Sequence, residues 1–256
     1  MSAVTRRGLL GAAATGALSL AACATPASNT LAPAAPAFDG AVEFRHGVAS
    51  GDPLPTKVIL WTRVTPTRGT GPIPVRYDVY GESDGATPLL SGLVTADASR
   101  DYCVKVDVKG LSPATAYLYR FTALTSAGEI ASPDGRTRTT AASGNAPVKL
   151  GVASCANWQF GKFNAYKALA AEPDLDAIVF LGDYLYEYGI DGYGAETAQA
   201  LGRLHDPITE IVTLGDYRMR HAQYKSDPDL QAAHAAAPWI CTWDDHESAN
   251  DSYRTG

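Results

Sequence analysis

Basic residues are scarce and scattered. Beyond the paired arginines at positions 6 and 7 no Lys/Arg-rich run occurs, and 21 basic against 27 acidic residues leave a formal charge of −6. A protein that tracks a phosphate backbone needs the opposite balance, so no nucleic-acid-binding surface is expected. An anionic substrate would have to be met by local positive charge, from a metal or a few arginines, because the overall field repels it. The uncharged stretch Gly8–Ala22 is too short and too rich in Ala and Gly to cross a bilayer comfortably, for which about 20 apolar residues are needed. Charged residues make up 19% and hydrophobic residues 46%, a balance that excludes disorder and coiled coil. What is there is 256 residues, enough for one large or two small domains with a real core.

Residues 2–24 read as an export signal, opening on Thr5-Arg6-Arg7-Gly8-Leu9-Leu10. Twin arginines before a weakly hydrophobic run have the form of the bacterial Tat signal, and the Tat machinery is the expected export partner. An ordinary Sec signal is the alternative. Leu20-Ala21-Ala22-Cys23 has the form of a lipoprotein box, making Cys23 a candidate lipid anchor and the one expected route to a membrane. The competing reading is a soluble protein cut after Ala22 or Ala24. Either way the protein is placed in the periplasm or at the cell surface. Of the four cysteines, Cys103, Cys155 and Cys241 remain. An odd number in an exported protein cannot all pair, so at least one thiol is free or bound.

Residues 25–37 are almost wholly Ala, Pro, Ser, Thr and Asn, a linker that cannot bury a core. From 38 to 140 come short β-like runs at 58–64, 75–80, 102–108 and 117–123, the last three alternating at period two, as in an all-β fibronectin III/Ig-like sandwich. Leu111 to Tyr117 has the form of the corner at which a Tyr hydroxyl bonds back to the backbone. After a polar linker the pattern changes. A buried strand at 149–154, a helix over 163–172 and an apolar strand at 177–181 make a βαβ unit with a parallel sheet. Helices over 215–224 and from Asp227-Pro228 to about Ala237 lead to a third buried strand, 239–243. Residues 148–256 thus read as an α/β catalytic domain.

Each of these three strands ends in candidate ligands: Ser154-Cys155, Gly182-Asp183-Tyr184-Leu185-Tyr186, and Asp244-Asp245-His246-Glu247. In an open α/β sheet the carboxyl ends of parallel strands line the ligand crevice, so these groups should converge. Singly, each has a plain structural reading: Cys155 as a small buried hydrophobe, Asp183 as a helix cap, Tyr186 as one of three neighbouring tyrosines, His246 as a satisfied structural histidine. Three carboxylates in four positions repel one another unless solvated or clamped by cations. Thiolate, carboxylate and phenolate around one crevice favour a trivalent or redox-capable metal, iron above all.

With these motifs stand Phe44-Arg45-His46-Gly47-Val48-Ala49-Ser50-Gly51-Asp52-Pro53 and Asp216-Tyr217-Arg218-Met219-Arg220. Together they resemble the metallophosphoesterases of the alkaline phosphatase D (PhoD) family and the amino-terminal sandwich that such enzymes carry, in the family's order from Phe38 to Tyr253. The resemblance implies an exported phosphomonoesterase or phosphodiesterase, with phospholipid substrates also seen in the family. It implies Fe3+ on Cys155 and Tyr186, Asp183 bridging two metals, and Ca2+ as the second metal on Asp245. His246 would hydrogen-bond the phosphoryl oxygen or protonate the leaving alkoxide, with attack on phosphorus by a metal-bound hydroxide. The family also has an Asp and a His ligand further on, whereas this sequence ends ten residues after His246. The expectation is therefore an amino-terminal portion, inactive alone, whose catalytic sheet lacks a covering layer on one face; a non-catalytic remnant is the competing reading.

Overall fold

The structure, a computed structural model, describes residues 36–83, 85 and 87–253. The export signal, the candidate anchor Cys23 and nearly all of the 25–37 linker lie outside the described residues. Along the chain run β1 (Ala41–Glu43), β2 (Val48–Leu54), β3 (Lys57–Arg63), β4 (Thr65–Arg68), β5 (Ile73–Gly81), β6 (Leu90–Ala96), β7 (Cys103–Lys109), β8 (Ala116–Thr125), β9 (Gly128–Ala131) and β10 (Gly135–Arg138). Then come β11 (Leu150–Ala153), α1 (Asn164–Ala171), β12 (Ala177–Phe180), α2 (Ala195–Leu201), α3 (Leu214–Lys225), α4 (Pro228–Ala236) and β13 (Trp239–Cys241). No helix among the described residues is long and apolar enough to cross a membrane.

One antiparallel sheet has the order β10-β8-β5-β6, with β9 also on β8. A second, mixed sheet has the order β11-β12-β13-β2-β3-β7. Alternating residues of β3 and β7 point inward, and Val58, Leu60, Val104 and Val106 share one core with Val75, Val79, Tyr119 and Phe121 of the other sheet. Burying one face of each strand is what the period-two pattern does. Tyr117 Oη accepts from the Ser112 N–H at 2.8 Å, closing the corner that the sequence indicates.

β11, β12 and β13 are parallel in sequence order, and β13 runs parallel to β2 through the pair Trp239 and Gly51. The sandwich and the α/β half therefore share a continuous sheet. α1, α3 and α4 bring Tyr166, Tyr224 and Leu230 against Ile178, Phe180 and Trp239 in a second core. Local signals set the helix starts: Thr213 and Asp216 form a capping box on α3, and Asp227 Oδ1 accepts from the Asp229 and Leu230 N–H groups of α4, whose first residue is Pro228.

Two expectations need correction. The strands at 149–154 and 239–243 are not buried on both faces: Leu150, Val152 and Ile240 are 49%, 60% and 43% exposed. The helices cover one face; on the other, Leu150 and Ile240 line a shallow cavity with Thr140, Ala141 and Pro147, in keeping with the expected lack of a covering layer. The third strand also ends at Cys241, which is exposed, and Trp243 beyond it is 85% exposed.

Candidate metal centre

The loops that follow β12 and β13 lie so close together that a Cβ on Gly182 would sit 2.5 Å from Asp244 Cβ and 2.6 Å from Asp244 N. Gly182 has φ +105°, which favours glycine as well. Glu247 staples these loops: its carboxylate accepts from the N–H groups of Asp183 at 3.1 Å, Tyr184 at 2.5 Å and Asp244 at 2.8 Å. The loop after β11 joins them, Cys155 N–H donating to Gly182 O at 3.1 Å and Ala156 N–H to Asp183 O at 2.8 Å. Cys155 and Asp183 both occupy the left-handed region, at φ 59° and 57°. Non-glycine residues persist there only where surrounding bonds over-determine them, and such strain collects at functional sites.

Asp183, Asp245 and His246 each offer a ligand atom within 4.8 Å of the others. Asp183 is buried; its Oδ2 accepts from Tyr186 Oη at 3.1 Å, while its Oδ1 is buried with no hydrogen-bond partner. A carboxylate oxygen hidden from water with no donor is costly, and a cation is the partner that such a cluster of acids suits. Burial first, then the Asp183 carboxylate and the Cys155 thiol, push the Tyr186 phenol well up. Without a cation it keeps its proton and donates it to Asp183. Asp245 Oδ2 accepts from Asp251 N–H at 2.5 Å, a bond that holds its carboxyl below the usual range.

His246 is set by a carboxylate. Its Nδ1 lies 2.8 Å from Glu187 Oε2, and Glu187 Oε1 accepts from Asn250 N–H at 2.7 Å. With Nδ1 donating, the neutral ring keeps its lone pair on Nε2. The ring also packs against Tyr186, centroids 4.1 Å apart.

Of the residues singled out in the sequence, Asp183, Tyr186, Asp245 and His246 come together. Cys155 is an exposed free thiol beside Tyr186 and stands outside the cluster of three. Asp244 is exposed and outside it as well. Sequence reasoning missed Glu187 and Glu247 as positioning groups. Glu247 lies in a motif already singled out and Glu187 directly follows one, and the available signal was an acidic residue directly beside candidate ligands at positions that prove buried or half-buried. Orphaned Asp183 Oδ1, the neighbouring carboxylate and imidazole, and the adjacent phenol and thiol fit a multivalent cation.

Comparison with known proteins gives a consistent picture. The model of the PhoD-like phosphatases matches residues 150–256, and that of the PhoD-like phosphatase N-terminal domain matches residues 30–141. Alkaline phosphatase D of Bacillus subtilis (strain 168) is 43% identical over 226 residues, covering 85% of this chain and 37% of that protein. A solved structure of PhoD superposes with a TM-score of 0.75 at 41% identity, covering 85% of this chain and 41% of the other. The chain thus spans less than half the length of these relatives.

Proposed function

The chain belongs to the PhoD-like phosphatase family, and on that premise we propose that it is a metal-dependent hydrolase of phosphate esters, with the site around Asp183 as its reacting centre. The observation that carries this reading is the buried, partnerless Asp183 Oδ1 inside a cluster with Asp245 and His246. In this reading β11, β12 and β13 with their helices belong to an α/β metallophosphoesterase-like domain, and the strands before them, including β2, β3 and β7 of the same mixed sheet, form a fibronectin III/Ig-like sandwich.

Cys155, Asp183 and Tyr186 would hold Fe3+, and Asp183 with Asp245 would hold Ca2+. Bound there, the two ions supply the positive charge that an acidic chain lacks and lower the pKa of water beside the phosphorus. The protein's own groups do the rest. Asp183 would be a ligand common to both ions, and Tyr186, which donates to Asp183 Oδ2 at 3.1 Å, would have to lose that proton to serve as a phenolate ligand. His246, aimed by Glu187, presents Nε2 to a phosphoryl oxygen or, protonated, to the leaving alkoxide. Glu247 and Gly182 keep the two ligand loops in register.

The paired Arg6 and Arg7 support export through the Tat machinery to the periplasm or cell surface, with lipid attachment at Cys23 as the membrane arm of that reading. The test is hydrolysis by the protein purified from the organism that makes it, loaded with iron and calcium. It should cleave p-nitrophenyl phosphate, bis-p-nitrophenyl phosphate or a phosphatidylcholine vesicle, and the preferred arm assigns the ester class. Asp183→Asn should lower the rate by about 10³-fold or more, on the scale of losing a charge-stabilising group. Absence of hydrolysis in all three arms, or full activity in Asp183→Asn, overturns the reading.

A further inference from the structure

A cavity of about 530 Å³ lies where β3, the first residue of β7 and the turn Ala98–Arg100 face α3. Its size and mainly apolar lining, around Trp61, Leu214 and Tyr217, are those of a small-molecule site. A second cavity of about 570 Å³ adjoins it through the shared residues Tyr217, His221 and Lys225.

The charge inside is unbalanced. Asp101 is the one acidic residue of the first cavity's lining, and Arg63 holds it at 2.8 Å. Arg100, Arg218 and Lys225 also line it, and none of the three has a carboxylate within ion-pair distance among the described residues. Arg218 is fixed in place by donating from Nη2 to the Ser99 carbonyl at 2.7 Å, which leaves its other nitrogens free. Lys225 Nζ sits 4.6 Å from the Trp61 ring and 5.2 Å from the Tyr184 ring, with His234 Nε2 at 3.3 Å. These partners offer π-faces and a neutral imidazole, but no anion. Lys225 is half-buried, and that burial pulls its ammonium down to about 8, the direction expected of a partly desolvated cation without a counter-charge. His46, on the same lining, is buried and is pulled to about 4 by burial and by Arg63, and so stays neutral.

In a chain of net charge −6, two half-buried cations without a counter-charge, Arg218 and Lys225, beside an apolar cavity form a recognition feature, with exposed Arg100 at its rim. We propose that this cavity binds a small organic anion, an oxyanion head group on a flat apolar body, with Lys225 and Arg218 at the head group and Trp61 against the body. The first cavity is separate from the metal centre, since no residue of the ligand loops lines it, whereas the second reaches those loops at Tyr184, Asp244 and Glu247.

The experiment is isothermal titration calorimetry of the chain with benzenesulfonate, inorganic sulfate and neutral benzenesulfonamide at fixed ionic strength. Benzenesulfonate should saturate one site with a dissociation constant below about 1 mM, with the other two roughly tenfold weaker or more. Lys225→Met should lower benzenesulfonate affinity at least tenfold. Arg218→Gln, a half-buried position on the helix, should lower it severalfold and serves as the second variant if Lys225→Met fails to fold. Asp183→Asn should bind as the parent does. Equal affinity for sulfate or benzenesulfonamide overturns the ligand class. Unchanged binding by both cavity variants, or no saturation at about 10 mM, overturns the site, and loss of binding in Asp183→Asn overturns its separation from the metal centre.

Discussion

Removing the Glu187 carboxylate tests whether the histidine of the site is positioned or merely adjacent. Glu187 is 2% exposed and holds two donors, His246 Nδ1–H at 2.8 Å and the Asn250 N–H at 2.7 Å. Hydrogen bonds to a charged group contribute about 1.5 to 3 kcal/mol each, and a buried donor left without an acceptor loses its water for nothing. Glu187→Ala should therefore destabilise the metal-free chain by about 3 to 5 kcal/mol. That is a large part of the 5 to 15 kcal/mol that ordinary domains have. Glu187→Gln keeps the shape and one carbonyl acceptor, so its cost should be about 1.5 to 3 kcal/mol. Urea denaturation followed by tryptophan fluorescence reads both values. The sharper readout is a double-mutant cycle with His246→Ala, in which the coupling should reach about 1.5 kcal/mol because both substitutions remove the same bond. A Glu187→Ala loss under about 1 kcal/mol, or additivity within about 0.5 kcal/mol, would refute the argument. His246 would then owe its place to its packing on Tyr186.

Two further outcomes follow from the same geometry. Tyr186→Phe deletes the phenol that faces Asp183 Oδ2, so the iron-loaded protein should lose a visible charge-transfer band while retaining its metal; an unchanged spectrum would remove Tyr186 from the ligand set. His46 and His205 are pulled down to about 4, by burial first and then by Arg63 and Arg220 respectively. Their folded values lie below the unfolded value of about 6.5, so the stability they contribute is complete above pH 6.5 and is lost as pH falls towards 4. The urea midpoint should fall across that window, and His205→Gln should flatten the fall; a midpoint constant from pH 7 to 4 would contradict it.

How far the sequence discloses the fold depends on where each signal acts. β3, β5, β7 and β8 show themselves through apolar residues at period two or in short runs, and α3 and α4 through Thr213, Asp227 and Pro228, all within a few residues of the element they start. β2 and β6 carry no such pattern. β2 contains Ser50-Gly51-Asp52-Pro53, a turn-like composition, and is a strand because β3 pairs along it and Trp239 pairs with Gly51 from far along the chain. A Cβ on Gly51 would meet the Trp239 carbonyl at 2.9 Å, so the glycine that weakens the local signal is what admits the long-range one. The continuity of the sheet through both halves of the chain was hidden for the same reason.

The site was legible to the extent that it depends on strand ends. Knowing that β11, β12 and β13 are parallel is enough to bring Cys155, Asp183 and Asp245 to one edge, because the carboxyl ends of parallel strands point the same way. It is not enough to say which side chain turns towards which. Asp183, Tyr186, Asp245 and His246 converge, whereas Asp244, one residue from Asp245, is exposed outside the cluster. The deciding contacts are loop to loop: Glu247 accepting two N–H groups across the gap and one within its own loop, Gly182 admitting Asp244 where a Cβ cannot fit, and Glu187 turning His246. None has a periodicity or a fixed spacing, since each joins residues brought together only after the sheet has formed. Carboxylates beside a proposed metal centre thus divide by burial and partners: Asp183 is buried with an oxygen unpaired, as a ligand should be, while Glu187 and Glu247 have spent both oxygens on N–H donors and hold the ligands in place.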